Sequence, residues 1–145
     1  MKYQKGFTLI EILVVIAILI VVISFGMLVD FSSFTSSTFQ GEEAKIVSVL
    51  ERARSHAMAN MFNTTSGVCY DATTHSYVIF QGSVCTSTGS ELIPANTNIA
   101  ENPSTTFPTF VFSRLTGNTT GGIIHITDGS KSADITLNNE GTINW

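Results

Sequence analysis

Two hydrophobic patterns divide this chain. From Phe7 to Val29 nearly every position is apolar, interrupted only by Thr8, Glu11, Ser24 and Gly26. A helix with no polar face is one that is covered on every side, in a core or in a bilayer. The run rises about 34 Å at about 1.5 Å per residue, against about 30 Å of hydrocarbon, and so predicts one membrane crossing. Lys2 and Lys5 precede it and Asp30 follows it. The positive-inside rule then holds the N-terminus in the cytoplasm and exports the C-terminal part. A cleaved secretory signal would carry a shorter apolar region ending at a small-residue site, and here the run continues through Met27, Leu28 and Val29 without one.

After the run the pattern changes twice. The stretch 30–41, "DFSSFTSSTFQG", is dense in Ser and Thr, which favour caps and turns over helix interiors, so local propensity argues for a break there, while the expectation on balance is a continuous or mildly broken helix. Helical spacing returns over 42–62, where Ile46, Leu50, Ala53, Ala57 and Met61 draw one apolar stripe while Glu43, Lys45, Glu51, Arg52 and Arg54 occupy other faces. Beyond Asn63 come short β-branched and aromatic runs ("SGVCY", "SYVIFQ", "FPTFVFS", "GIIHITD", "ADITLN", "GTINW") parted by turn sequences. Hairpins are expected around Asp128–Lys131 and Asn139–Gly141, within about five to seven antiparallel strands in one sheet or two. The segment 86–106, with Pro94 and Pro103, reads as loop and as variable surface. The expected fold is α+β: a long N-terminal helix, half membrane-spanning and half amphipathic, packed on a small antiparallel head. Its divisions fall at 7–29, 30–62 and 63–145.

Composition narrows the functional classes. In 145 residues there is room for one membrane segment and one small domain. The sequence has no G-x-S-x-G elbow, Walker A loop or G-x-G-x-x-G fingerprint, and nothing in it argues for catalysis or for a cofactor. His56, His75 and His125 lack metal-ligand spacing, and no metal site is expected. Cys69 and Cys85 are the only cysteines; in an exported domain they predict a disulfide, with two free thiols in a small core as the alternative. Nucleic acid is a disfavoured partner: the formal charge is −4, and Lys45, Arg52 and Arg54 are the only basic cluster.

An ionisable residue inside an apolar span costs roughly 2.5–3.5 kcal/mol on insertion scales and marks function by default. That residue is Glu11, in "KGFTLIE" at 5–11. This motif resembles the prepilin signature of type IV pilins and type II secretion pseudopilins. The resemblance implies a leader peptide at 1–6, cleavage by a prepilin peptidase between Gly6 and Phe7, and methylation of the new amine of Phe7. It also implies residence in the bacterial inner membrane, then assembly with other pilin-like subunits by a dedicated machine. Glu11 would meet the N-terminal amine of a neighbouring subunit; a glutamate that snorkels to the headgroups is the competing reading. Loss of Lys2 and Lys5 with the leader moves the formal charge from −4 to −6. The family's frequent proline in this helix is missing, leaving Gly26 as the weak point.

A second resemblance ranks the subfamily. "LERARSHAMANMFNTTSGVCY" is similar to the helix-to-strand region of GspH/FimT-type minor pseudopilins, with Ala53, Arg54, Ala57 and Cys69 at the matching places. "FSRLTGNTTGGIIHI" and "ITLNNEGTINW" follow in that group's order, although Gly141-Thr142-Ile143 stands where many relatives have Gly-Arg. The implied role is that of a structural filament subunit. The alternatives are a displayed binding module for adhesion or DNA uptake, and a surface protein that is anchored but never polymerises.

Overall fold

A computed structural model describes residues 8–28, 31–88 and 90–145, with side chains described outside 25–36. The chain divides between Ser36 and Ser37 into two compact units.

The first unit contains helix α1, Leu9–Leu28. Its described side chains are exposed around the whole circumference, for example Leu13 at 56 % and Ile16 at 52 %. The Ser24 hydroxyl donates to the Ile20 carbonyl at 2.8 Å, within the helix itself. No helix among the described residues is long and apolar enough to cross a membrane. The expected span, Phe7 to Val29, starts and ends outside the described residues, and side chains are described only as far as Ser24.

The second unit is built on the part of helix α2, Phe31–Met58, that runs from Ser37 onward. The Ser- and Thr-rich stretch is therefore helical from Phe31 onward, contrary to its propensity. Within it Phe39 is 5 % exposed. Burial of such a side chain contributes about 1.5–3 kcal/mol, against a few tenths for each unfavourable Ser or Thr. Further along, Ile46, Leu50, Ala53 and Ala57 are fully buried, as the stripe predicts. Met61 departs from it at 58 % exposure, because the helix has already ended. Asn60 takes φ 53°, its N–H reaches the Ala57 carbonyl at 3.1 Å, and the Met61 N–H reaches His56 at 3.2 Å. That pair of bonds is a Schellman stop, which turns the chain before Met61 can join the stripe.

Two antiparallel sheets complete the unit. The first has the order β3-β2-β1-β4, from β1 (Ser66–Asp71), β2 (Ser76–Gln81), β3 (Glu91–Pro94) and β4 (Phe110–Phe112). The second runs β5-β6-β7, from β5 (Gly122–Thr127), β6 (Ser132–Leu137) and β7 (Ile143–Asn144). Both expected hairpins form, pairing Thr127 with Ser132 and Leu137 with Ile143. Strand alternation sorts the side chains. Tyr77 and Ile79 join α2, Phe112, Ile124 and Ile135 in the main core, while Val78 and Phe80 pack with Cys69 in a smaller cluster.

Segment 86–106 is more ordered than its sequence predicts. Glu91–Pro94 forms the edge strand β3 against Ser76–Ile79, and α3 follows at Thr97–Ala100. The Asn96 carboxamide accepts from Asn98 N–H at 3.1 Å, starting this one-turn helix, and Ile99 enters the core at 1 % exposure. Two short elements flanked by prolines are too brief for periodicity to reveal, and tertiary contacts decide them.

Candidate assembly site

The first turn of α1 closes on itself. Thr8 N–H and Thr8 Oγ1 each donate to Glu11 Oε2 at 3.2 Å, and Glu11 N–H reaches Thr8 Oγ1 at 3.4 Å. This is a capping box of the T-x-x-E type: the carboxylate satisfies donors that the helix start leaves open. Glu11 is exposed and has no partner outside its own turn among the described residues. It is the single ionisable residue of α1. Gly6 and Phe7 lie outside the described residues.

A second glutamate plays the opposite part. Glu42 of α2 is 3 % exposed, with Oε2 2.6 Å from Lys45 Nζ and Oε1 accepting from Asn96 N–H at 2.9 Å. Lys45 also donates to the Pro94 carbonyl at 3.1 Å. Together the two side chains fasten the β3–α3 connection to the helix. The buried Tyr77 hydroxyl faces this carboxylate without a hydrogen bond; burial first, then the negative charge of Glu42, raises its pKa above the ordinary phenol range. The sequence reading missed Glu42, yet a signal was there. It precedes Ile46 by four and so sits in register with the apolar stripe.

The basic group on α2 is engaged. Lys45 serves Glu42, Arg52 Nη1 lies 2.6 Å from Glu91 Oε1, and Arg54 Nη2 donates to the Glu140 carbonyl at 3.0 Å. Gly141 takes φ 75° beside Arg54, and a Cβ there would come within 3.0 Å of Arg54 Nε. Ala53 and Arg54 thus divide their work: the small side chain enters the core and the long one ties down the β6–β7 turn. Arg114 holds the turn after α2, with Nη1 2.5 Å from Asn63 Oδ1.

Cys69 and Cys85 are joined in a disulfide, with Cα atoms 6.2 Å apart. It ties the segment after β2 back to β1. The histidines are dispersed: His75 and Tyr70 both meet Glu101, and His125 pairs across the strands with Asp134. Glu101 is held below the usual carboxylate range by Tyr70 first and then by His75. Tyr70 is pushed up to about 12 by burial, then by Glu101. His56 meets Phe62 edge-on with ring centroids 5.9 Å apart. No cluster among the described residues has the makings of a metal site.

An exposed apolar helix with one self-capped acid, followed by a helix packed into a two-sheet head, defines the class of pilin-like subunits. The pattern of the prokaryotic N-terminal methylation motif matches residues 1–27, and that of the type II transport protein GspH matches residues 44–141. The chain belongs to the GspH family of type II secretion pseudopilins and pilin-like subunits. These families are structural rather than enzymatic, and they imply contact with other such subunits and with secretion machinery. No curated protein and no solved structure matches the chain.

Proposed function

We infer that this chain is a minor subunit of a type II secretion or type IV pilus-like filament, cut by prepilin peptidase between Gly6 and Phe7 and methylated on Phe7. Residues 1–6 are the leader, 7–29 the inner-membrane anchor and later the filament core, 30–62 the connecting helix, and 63–145 the exported head. The observation that carries this reading is the methylation-motif match at 1–27 over a helix whose one ionisable residue is Glu11.

The mechanism is assembly. Cleavage creates an α-amine on Phe7, and in apolar surroundings an amine and a carboxylate attract strongly while either alone is costly. In the lone subunit Glu11 caps its own helix through Thr8. On assembly it exchanges those neutral donors for the charged amine of a neighbour, which fixes axial register. The shift from neutral to charge-assisted hydrogen bonding roughly doubles the strength per bond.

Intact-mass spectrometry of the full chain, produced with and without a prepilin peptidase, tests this. The expected product has lost Met1 through Gly6 and gained one methyl group. An unchanged mass beside an active peptidase would leave a signal-anchored surface protein instead.

A further inference from the structure

The β3-β2-β1-β4 sheet has a second apolar face, turned away from α2, where Cys69, Val78 and Phe80 cluster with Val111. Val78 and Phe80 are fully buried. The segment after β2 lies on this side. Ladder pairing ends at Gly82, whose N–H reaches the Thr65 carbonyl at 2.9 Å and whose φ of 91° lets the chain turn back. Cys85 is then bonded to Cys69, which sits opposite Val78 in the β1–β2 register. From there the chain goes on to β3, which pairs with the other edge of β2. Residues 82–88 therefore form a strap folded back over Val78 and Phe80.

One covalent bond holds the strap. Among the described residues no hydrogen bond joins 83–88 to the sheet; the Thr86 carbonyl accepts from Ser90 Oγ at 2.7 Å, within the same segment. Val84, 65 % exposed, adds little apolar grip. The two sulfurs differ in access: Cys69 is 2 % exposed beneath the strap, and Cys85 is exposed on it. A thiolate attacking a disulfide needs a clear approach to one sulfur along the S–S axis, and only Cys85 offers it. We propose that 82–88 is a redox-latched cover, closed by a thiol–disulfide oxidoreductase through a mixed disulfide at Cys85. The Cys85 thiolate attacks the oxidoreductase disulfide and releases one of its sulfurs as thiolate. The Cys69 thiolate then attacks Cys85 Sγ, and the second oxidoreductase sulfur leaves. The head loses two electrons and two protons, and the oxidoreductase gains them as a dithiol. Opening by a thiol retraces the same intermediate. The oxidised head hides Val78 and Phe80, and the reduced head presents them as an apolar patch on a sheet face. This device is independent of the filament reading above.

The test uses the full-length chain in detergent micelles. Oxidised protein is incubated with glutathione, quenched in acid and mapped by mass spectrometry. The expected adduct is on Cys85, in about tenfold or greater excess over Cys69, since exchange follows access. The cover is read by hydroxyl-radical footprinting of the parent and of Cys85→Ser, in which the latch cannot close. Labelling of Phe80 should rise severalfold in the variant, while Tyr77, on the core face of the same strand, stays as in the parent. Adducts shared evenly, or favouring Cys69, would overturn Cys85 as the point of exchange; this arm uses the parent protein and needs no variant to fold. Phe80 labelling that does not change would overturn the latch, because the strap would then stay down without its bond. Phe80 and Tyr77 rising together would overturn it too, because the bond would then hold the whole head.

Discussion

Removing the Glu42 carboxylate measures how firmly the β3–α3 segment is held to α2. In Glu42→Ala two contacts disappear, and they differ in weight. Lys45, with its side chain 37 % exposed, turns to water and keeps Pro94 within reach, so its share of the ion pair is discounted to under about 1 kcal/mol. Asn96 N–H, only partly exposed, loses an ionised acceptor at 2.9 Å with no other partner among the described residues, which costs about 1.5–3 kcal/mol. The hydrogen bond dominates, and the expected destabilisation is about 2–3 kcal/mol. For a domain of about a hundred residues this lowers Tm by roughly 10–20 °C. Glu42→Gln retains an oxygen for Asn96 and should recover about half of the loss. Calorimetry gives the total, and amide hydrogen exchange tests the segment itself: Asn96 to Glu101 should lose protection, and the β1–β2 ladder should lose no more than the global stability does. A Tm within about 2 °C of the parent, or unchanged protection of Asn96 to Glu101, would refute the reasoning.

The disulfide spans a sequence separation of 16, for which chain entropy gives about 3 kcal/mol, so Cys69→Ala with Cys85→Ala should lower the midpoint of denaturant unfolding accordingly; an unchanged midpoint would remove its structural role. Gly67→Ala should destabilise by about 1–3 kcal/mol, since a Cβ there would lie 2.6 Å from the Phe110 carbonyl and closer still to the Phe80 ring; thermal melts report it, and a neutral result would mean that the β1–β4 contact yields freely. Glu101 has a folded-state pKa below its ordinary value of 4.5, so its contribution is present above that value and is lost as pH falls through the depressed one; melting curves below pH 4.5 should fall less steeply for Glu101→Gln than for the parent.

Much of this architecture is legible in the sequence because its signals are periodic or local. Ile46, Leu50, Ala53 and Ala57 announce a helix face at the right spacing, and "SYVIFQ" announces a strand buried on both sides. What escapes is set by contacts distant in sequence. The stop at Met58 depends on Asn60 adopting a left-handed φ, which asparagine tolerates but does not advertise. Strand β3 exists because β2 has a free edge beside it, and α3 because Ile99 finds a place in the core.

The two glutamates show how far residue type alone carries an argument. Each follows a hydroxyl residue or a polar stretch, and each lies on a helix that is otherwise apolar on the relevant face. Glu42 is buried and finds its partners in the same head, one of them 54 positions away, so its charge is spent on holding a fold together. Glu11 is exposed, and its only partner among the described residues is Thr8, three positions away. A capping box of this kind is worth about 1 kcal/mol and forms or breaks without disturbing anything beyond its own turn. A carboxylate held so lightly, on a helix whose described side chains are all exposed, remains available to a stronger donor. That difference in binding, rather than the presence of a charge in an apolar run, is the physical ground for assigning one acid to stability and for proposing assembly for the other.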